Sequence, residues 1–382
     1  MSIESGVPQK LPQFELPCNT CGSMDARLVF PKWSFRIVRC VDCGLVFVNP
    51  RTFRIEEDDY FEGAYLSTIE KDGKLDGGIA NLYGEIIYNL SNRVASGILL
   101  DVGCAMGHFL GFAKRYGWEV EGVECSPYAA RYAEEHFGAQ VHPVCDLKDA
   151  NLPAASYDAC VLIEVIEHLA DPRATMTEVW RLLKPGGLVY ITTPNFSSYR
   201  AMLLRAEWNA VIPVGHLYYF EGESLGKLLT SIGFINLEDF TDTKTFAAEL
   251  EFAEKSGLMT LTPEQLAGVK DIARIDAGNG PINHRGECLV MCGRKPWTST
   301  EEQAASDEKV GRQVFYTPFE GYLVRRPGET VEDNKVYFVD HGRKRWVTTA
   351  DWIIARGMNW PEDVKVITAE ELDELLPGPP LP

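Results

Sequence analysis

Hydrophobic and polar positions along the middle of the chain repeat with two different periods. Short apolar runs of strand length predict five β-strands, at residues 98–102, 119–123, 140–144, 158–163 and 188–193. Between these runs, apolar residues recur at the spacing of an amphipathic helix, at residues 108–116, 127–137 and 173–183. This alternation predicts an α/β fold with a parallel sheet and right-handed crossovers.

The pattern changes on both sides of this core, and the changes suggest domain boundaries. Two more strands are expected at 235–241 and 287–292, on either side of a helical insertion at about 246–277. The residues at 298–311 are polar and acidic and show no periodicity, which is typical of a linker. The expected organisation is a cysteine-rich unit at 1–61, an α/β domain at 62–296 with a helical lead-in at 62–96, the linker at 297–311 and a small α+β accessory module at 312–382.

Charge and composition narrow the classes of partner and compartment. The 382 residues include 37 Lys and Arg against 55 Asp and Glu, a net charge of -18. This negative charge disfavours nucleic acid as a partner. The N-terminal sequence lacks the apolar run of a signal peptide, and no stretch is long and apolar enough for membrane insertion, so we expect a cytoplasmic protein. In a reducing compartment, the ten cysteines are expected to be metal ligands or small buried residues rather than disulfides.

The N-terminal unit contains two Cys-x-x-Cys pairs, formed by Cys18 with Cys21 and by Cys40 with Cys43. Each pair is able to bind one side of a metal ion, and four thiolates complete a tetrahedral zinc site. A site with four protein ligands is closed, so the zinc is expected to be structural rather than catalytic. An iron–sulfur centre or redox-active dithiols are the alternatives.

A glycine-bearing turn follows the first strand of the α/β domain. Asp101 ends that strand, and Gly103 and Gly107 allow the backbone to turn sharply and to approach a ligand closely. Glu124 follows the next strand, where a carboxylate is placed to accept hydrogen bonds from ribose hydroxyls. The pair of features predicts a nucleoside-binding site.

Four stretches resemble the motifs of class I S-adenosylmethionine-dependent methyltransferases: DVGCAMG at 101–107, VEGVECS at 120–126, YDACVLIEVIEHLADP at 157–172 and LLKPGGLVYITTPN at 182–195. The resemblance implies a Rossmann-like, seven-stranded methyltransferase sheet that binds S-adenosylmethionine. It implies contacts to that cofactor from Asp101, Gly103, Cys104, Gly107, Glu124, Cys125, Cys145, Asp146, Ile163 and Glu164. From its chemistry alone, Cys125 is equally well explained as a small buried residue.

The N-terminal unit, which we interpret as a zinc ribbon, also carries a resemblance. CGLVFVNPR at 43–51 is similar to the end of the zinc ribbon in bacterial methyltransferases that act on sugars and other small molecules, some of them on carbon atoms of deoxysugars. Those deoxysugar enzymes usually have a second substrate domain after the core. This chain departs from them there, so the resemblance does not decide among oxygen, nitrogen and carbon as the methyl acceptor.

Two histidines are the candidate general bases. His216, in GHLYYF at 215–220, resembles the His-x-x-x-Phe element of the ribbon-bearing methyltransferases, and imidazole suits proton transfer near neutral pH. Alternatively, His216 orders its loop. His168, in EVIEH, either assists as a base or shapes the floor of the active site. Tyr219 is a candidate substrate contact.

The function predicted from these features is methyl transfer from S-adenosylmethionine to a sugar or another small molecule, either free or linked to a nucleotide or carrier. Methylation of RNA or protein is an alternative suggested by the ribbon, and a non-catalytic cofactor-binding scaffold is another. The C-terminal module is expected to contact a protein or a glycan.

Overall fold

A computed structural model describes residues 13–51, 70–71, 74–75, 77–241, 286–311, 323–325, 335–340, 343–347, 364–366, 372 and 376–381. The predicted insertion at about 246–277 lies outside these residues. The chain forms two compact units, the first of Met1–Asp58, Gly97–Gly111 and Glu119–Thr298, and the second of Asp59–Ser96, Phe112–Trp118 and Ser299–Pro382. The domain boundaries expected from the sequence remain predictions.

A seven-stranded sheet forms the centre of the first unit. Its strands are β6 (Ile98–Val102), β7 (Glu119–Val123), β8 (Gln140–His142), β9 (Tyr157–Ile163), β10 (Leu183–Pro194), β12 (Ile235–Asp239) and β13 (Cys288–Arg294). They lie in the order β12-β13-β10-β9-β6-β7-β8. The five strands from β10 to β8 are parallel, and β13 is antiparallel to both of its neighbours. This arrangement confirms the predicted fold class.

The helices α2 (His108–Arg115), α3 (Pro127–Phe137) and α4 (Pro172–Leu182) lie where the sequence predicts them, and α5 (Tyr199–Leu204) and α6 (Gly222–Ile232) follow later in the chain. The α3 helix begins because the Ser126 hydroxyl accepts a hydrogen bond from the Ala129 N–H, and it ends at Gly138, whose φ is 59°. The central strand β9 is apolar along almost its whole length because helices cover both faces of a parallel sheet.

A smaller antiparallel sheet in the same unit contains the N-terminal cysteine-rich segment. Its strands are β1 (Ala26–Lys32), β2 (Phe35–Cys40), β3 (Val46–Val48) and β11 (Tyr218–Tyr219). The order is β1-β2-β3-β11, so two residues from late in the α/β domain complete the sheet that the cysteine-rich segment begins. Tyr218 pairs with Phe47, and Tyr219 pairs with Val46.

The second unit contains a short hairpin, two helices and a further sheet. The hairpin is β4 (Glu70–Lys71) and β5 (Lys74–Leu75), and the helices are α1 (Gly77–Ser91) and α7 (Thr300–Gly311). The sheet strands are β14 (Leu323–Arg325), β15 (Tyr337–Asp340), β16 (Arg343–Val347), β17 (Val364–Val366) and β18 (Leu376–Leu381), in the order β17-β14-β15-β16-β18. Among the described residues, no helix has the length and apolar character that crossing a bilayer requires.

The stretch predicted to be a linker is helical from Thr300 to Gly311. Its sequence is rich in Glu, Gln, Ala and Lys, which favour helix, so intrinsic propensity forms a helix without an amphipathic pattern. Its role as a linker remains a prediction.

Candidate active site

The loop between β6 and α2 bends back onto the end of β7. The backbone N–H groups of Gly103 and Cys104 donate to the carbonyl oxygen of Val123, at 2.7 and 3.1 Å. Gly103 and Gly107 have φ values of 76° and 79°, which L side chains rarely adopt. A Cβ on Gly107 would also lie 2.5 Å from the Cβ of Ala133 on α3. The tight turn expected from the glycine pattern therefore depends on glycine for both reasons.

Glu124 holds this loop through its carboxylate. Oε2 accepts a hydrogen bond from the Ala105 N–H at 2.8 Å, and Oε1 accepts one from the Ser126 N–H at 2.8 Å. The side chain is 6% exposed. Each carboxylate oxygen is able to accept more than one hydrogen bond, so these two backbone contacts are compatible with further bonds from hydroxyl groups. Fixed in this way, the carboxylate suits a ribose.

Asp101 lies beside this carboxylate. Asp101 is 2% exposed, and within the described part of the chain its Oδ1 has no hydrogen-bond partner. Burial raises the pKa of Asp101 to about 8, and the charge of Glu124 adds to the effect. A buried carboxyl group of this kind is stabilised by a cationic ligand. S-adenosylmethionine carries an ammonium and a sulfonium group, so these residues fit it.

Cys104, the remaining residue expected at this loop, is buried beside the two carboxyl groups. Burial raises the pKa of its thiol, and the charges of Asp101 and Glu124 raise it further. The thiol is therefore kept protonated and acts as a small apolar surface.

The expectation that the cysteines form no disulfide is wrong for one pair. Cys125 follows Glu124, and it is disulfide-bonded to Cys145 with a Cα–Cα distance of 4.3 Å. The physical reason is that β7 and β8 are parallel neighbours, which brings the segments after them to the same edge of the sheet.

Asp146, predicted at the adenine edge, follows this disulfide. Its side chain accepts a hydrogen bond from the Lys148 N–H at 3.1 Å and forms an ion pair with the Lys148 ammonium at 2.7 Å. The hydrogen bond to Lys148 lowers the pKa of Asp146. The carboxylate is therefore ionised and remains an acceptor for an amino group.

Ile163 and Glu164 lie at the carboxyl end of β9, next to the end of β6. The Glu164 N–H donates to the hydroxyl oxygen of Thr192 at 3.1 Å, and the Cys288 thiol lies 3.5 Å from the Glu164 carboxylate. The φ of 55° at Glu164 is unusual for a residue with a side chain, and such strain is concentrated at functional sites.

The structure brings the two candidate bases together. The rings of His168 and His216 meet edge to face, with their centroids 4.6 Å apart. The Nδ1 atom of His168 lies 3.0 Å from the carbonyl oxygen of Gly215, and the backbone carbonyl of Glu167 accepts from the N–H groups of Leu217 and Tyr218. The segment that carries His216 is thereby tied to the segment after β9.

Glu167 joins this pair, and the sequence reasoning missed it. Its Oε1 lies 3.8 Å from the Nε2 of His168, and its Oε2 accepts a hydrogen bond from the Thr193 hydroxyl at 2.9 Å. Burial raises the pKa of Glu167 to about 8, and the charge of Glu164 adds to this. The signal that points to it is the repeat of two acidic residues three positions apart, immediately before a histidine.

Tyr219, the third residue predicted to act on the substrate, lies in a different environment. Its ring packs in an apolar cluster with Phe196 and with residues of β1, β2 and β3. Its hydroxyl is buried and, within the residues that the structure describes, lacks a hydrogen-bond partner. Burial raises its pKa. The hydrogen bonds described above do not connect it to the histidine pair.

The four cysteines of the N-terminal segment form a compact cluster. The sulfur atoms of Cys18 and Cys43 are 3.3 Å apart, those of Cys21 and Cys40 are 3.5 Å apart, and all four lie within 4.8 Å of one another. Four sulfurs at about 2.3 Å from a tetrahedral zinc ion would be about 3.8 Å apart. The cluster therefore fits a Cys₄ zinc site after small adjustments.

Several polar contacts attach this cysteine-rich segment to the α/β domain. The Arg39 guanidinium donates to both carboxylate oxygens of Glu221, at 2.9 and 2.8 Å. The Asn19 amide donates to Asp171 at 2.7 Å, and Arg173 donates to the carbonyl of Asn19 at 3.0 Å. These contacts, together with β11, fix the segment close to the one that carries His216.

Part of the chain is similar in sequence to known methyltransferases. Residues 79–239 match the family model of a methyltransferase domain. An enzyme of Cereibacter sphaeroides named ubiquinone biosynthesis O-methyltransferase is 34% identical over 117 residues, which cover 29% of this chain and 47% of that enzyme. The enzyme of the same name from Xanthomonas axonopodis is 33% identical over 129 residues, covering 32% and 54%. The chain thus spans about half the length of these curated relatives.

Solved structures show weaker similarity. A SAM-dependent methyltransferase from Archaeoglobus fulgidus has a TM-score of 0.42 and 18% identity, covering 56% of this chain and 93% of that one. A complex of the Haloferax volcanii Trm112 methyltransferase activator with a methyltransferase has a TM-score of 0.43 and 18% identity, covering 64% and 100%.

Proposed function

Because the chain contains a methyltransferase domain over residues 79–239, we propose that it transfers a methyl group from S-adenosylmethionine to a small molecule. The observation that carries this proposal is the pair of buried carboxyl groups at the ends of β6 and β7. Glu124 is oriented by two backbone N–H groups, and Asp101 has a buried oxygen that lacks a hydrogen-bond partner among the described residues. The Glu124 carboxylate suits hydroxyl groups of a ligand, and Asp101 suits the cationic amino-acid part of a ligand.

The residues around the loop would hold the cofactor by complementary chemistry. Glu124 would accept from the ribose hydroxyls, Asp101 would face the charged end, and Cys125, Cys145 and Asp146 would border the adenine. When bound, S-adenosylmethionine supplies an activated methyl group on a sulfonium. The protein then has to position an acceptor in line and remove its proton, and positioning alone is worth up to about 7–11 kcal/mol of the barrier.

The histidine pair provides the proton-accepting function in this proposal. His168 and His216 are in ring contact, and both are partly accessible, whereas Tyr219 packs in an apolar cluster. A general base contributes about 10²–10⁴-fold when the nucleophile must lose a proton. We therefore assign proton removal to the group of His168 and His216.

The acceptor that we propose is a hydroxylated small molecule, of which a sugar is one example. The named relatives act in ubiquinone biosynthesis and are called O-methyltransferases, which supports oxygen as the acceptor atom and a small molecule as its carrier. The net charge of -18 is unfavourable for RNA. The four-cysteine cluster would bind zinc as a structural ion.

Cofactor binding tests the proposal directly. Isothermal titration of the full chain, purified with zinc, is expected to show S-adenosylhomocysteine binding at one site. The Glu124→Gln variant, which keeps the size of the side chain, is expected to bind at least about tenfold more weakly because charged acceptors form the stronger hydrogen bonds. Absence of binding by the folded wild-type chain would falsify the proposed function.

A histidine substitution tests the assignment of proton removal. His216→Ala is expected to lower the rate at which the protein methylates an acceptor by about 10²-fold or more. The affinity for S-adenosylhomocysteine is expected to change less than about threefold. His136→Ala, which removes an exposed imidazole on α3, is the matched control and is expected to leave both values unchanged. Equal losses of turnover and affinity in His216→Ala would instead indicate a structural role.

A further inference from the structure

Three side chains that commonly bind metal ions converge in a second cluster, distinct from the four cysteines. They are Glu167, His168 and His216, and one potential ligand atom from each lies within 4.8 Å of the other two. In the part of the chain that the structure describes, this group and the four cysteines are the two clusters of this kind. Two imidazoles and one carboxylate make a donor set that suits divalent first-row transition ions.

The orientation of His168 is the orientation that a metal ligand requires. Its Nδ1 lies 3.0 Å from the carbonyl oxygen of Gly215, which accepts hydrogen bonds but has no hydrogen to donate. Nδ1 therefore carries the hydrogen, and the lone pair is on Nε2. Histidines that bind metals usually donate their other N–H to a carbonyl or a carboxylate in this way, which fixes the tautomer and the ring.

A hydrogen bond also fixes the orientation of the Glu167 carboxylate. Its Oε2 accepts from the Thr193 hydroxyl, which leaves Oε1 facing the Nε2 of His168 at 3.8 Å. Glu167 is 1% exposed, and its Oε1 has no hydrogen-bond partner among the described residues. The Glu167 Oε1 and the His168 Nε2 thus face each other at a distance too long for a hydrogen bond. A cation bound to Oε1 would give this buried oxygen a partner and would lie within reach of Nε2.

His216 supplies the third donor from a separate part of the chain. Its ring meets that of His168 edge to face at 4.6 Å, and its backbone N–H donates to the carbonyl of Ile212 at 2.7 Å. The backbone carbonyl of Glu167 accepts from two N–H groups of the residues that follow His216. The first and third donors are therefore joined through the backbone, which fixes the distance between them.

We propose that Glu167, His168 and His216 form a second metal site, which binds one divalent first-row transition ion with two imidazoles and one carboxylate. Three protein ligands leave coordination positions open, as in catalytic rather than structural sites. With the ion bound, the coordinating imidazole nitrogens no longer accept a proton, so the histidine pair would assist proton removal through the ion. An acceptor oxygen at an open position would lose its proton to water more readily, because a metal ion of this kind lowers the pKa of a bound hydroxyl group. This use of the site rests on the proposed function, whereas the binding of the ion does not.

Metal stoichiometry separates this site from the cysteine cluster. The full chain is dialysed against buffered Zn²⁺, and bound zinc is measured by mass spectrometry. Two equivalents are expected in the wild-type chain. Cys40→Ser is expected to retain one equivalent, and Glu167→Gln is expected to retain one equivalent from the other site. His136→Ala is the matched control for an exposed imidazole and is expected to retain two.

Affinity and geometry complete the test. In zinc titrations, Glu167→Gln and His216→Ala are each expected to weaken the second site by more than about 100-fold, since losses of 10–100-fold already follow from changes to the partners of ligands. Because Glu167 is buried, circular dichroism checks its variant for folding, and His216→Ala gives the same test at a more accessible position. Unchanged zinc content in a folded His216→Ala variant would overturn the assignment.

A shared proton between Glu167 and His168 is the competing explanation for the facing Oε1 and Nε2 atoms. It predicts one equivalent of zinc in the wild-type chain, all of it lost in Cys40→Ser, and that result would also overturn the proposal. S-adenosylhomocysteine binding is measured on the same samples. Binding of the nucleoside without a second zinc would reject the metal site and leave the proposed function standing.

Discussion

Asp101 places a carboxyl group at the end of β6 where water is nearly excluded. Burial raises its pKa to about 8, with Glu124 as the neighbouring charge that adds to the shift. The buried Cys104 thiol beside it stays neutral, because its own pKa is raised as well. Near neutral pH, a large fraction of Asp101 is therefore protonated in the protein without ligand. A cationic ligand favours the ionised form, so binding is coupled to the release of a proton.

This coupling predicts a pH-dependent cofactor affinity. Below the pKa of Asp101, the affinity for S-adenosylhomocysteine is expected to rise with pH, by up to about tenfold per unit. Titration calorimetry in buffers of different ionisation enthalpy is expected to detect up to one proton released per nucleoside bound. Asp101→Asn is expected to remove the pH dependence. A wild-type affinity that is constant between about pH 6 and pH 8 would contradict the prediction.

The same group also affects the stability of the protein without ligand, and the sign is opposite. The pKa of Asp101 is higher in the folded chain than the ordinary value of 3.8. Between these two pKa values, the folded state holds more protons than the unfolded state, so the contribution of Asp101 to stability falls as the pH rises. The melting temperature of wild type relative to Asp101→Asn is therefore expected to decrease from about pH 5 to about pH 8.

Individual residues differ in how far the sequence predicts their positions. Asp101 and Glu124 end apolar strands, and strand ends in a parallel sheet meet at one edge, so their proximity follows from the pattern. The contact between His168 and His216 does not follow from it. That contact depends on the path of the segment between β10 and β11, which has no strong periodicity. Glu167 was missed for a related reason, because its partners come from that segment and from β10.

Among the elements, β7 and β8 carry a connection that the sequence reasoning did not foresee. The Cys125–Cys145 disulfide joins the segments that follow these two strands, and its cysteines are 20 residues apart in the chain. The resemblance predicted each cysteine only as a separate contact to the cofactor. Their pairing depends on the register of β7 against β8, in which Val123 lies opposite His142. Strand positions were predictable from apolar runs, but the register between strands was not.

The disulfide predicts a redox-dependent stability. Closing a loop of about this length contributes about 3 kcal/mol through the unfolded state. Reduction in the presence of zinc is therefore expected to lower the free energy of unfolding of the wild-type chain by about that amount, as measured by urea denaturation. The double variant Cys125→Ser/Cys145→Ser is the control, and reductant is expected to leave its stability unchanged. An equal effect of reductant on both proteins would assign the change to another thiol.

For the whole molecule, the sequence separated the cysteine-rich segment from the α/β domain, but it did not show how the two are joined. The four cysteines and the strands of the larger sheet each carry a local pattern. The strand β11 has two residues and no detectable period, yet it pairs with β3 and completes the smaller sheet. The leucine between His216 and β11 also accepts a hydrogen bond from the Val48 N–H at 3.0 Å. The cysteine-rich sheet thus holds the segment of His216 directly.

This connection predicts that loss of zinc from the cysteine cluster impairs catalysis rather than cofactor binding. In Cys40→Ser, β1 to β3 would lose the proposed ion near their ends, and β11 would lose the support of its neighbouring strand. Hydrogen exchange of the amides at 217–219 is expected to accelerate, and turnover is expected to fall at least about tenfold because a small displacement of catalytic groups is costly. S-adenosylhomocysteine affinity is expected to change less than about threefold, since β6 and β7 pair within the other sheet. Full turnover by a Cys40→Ser chain that has lost this zinc would show that the cysteine-rich segment does not position His216.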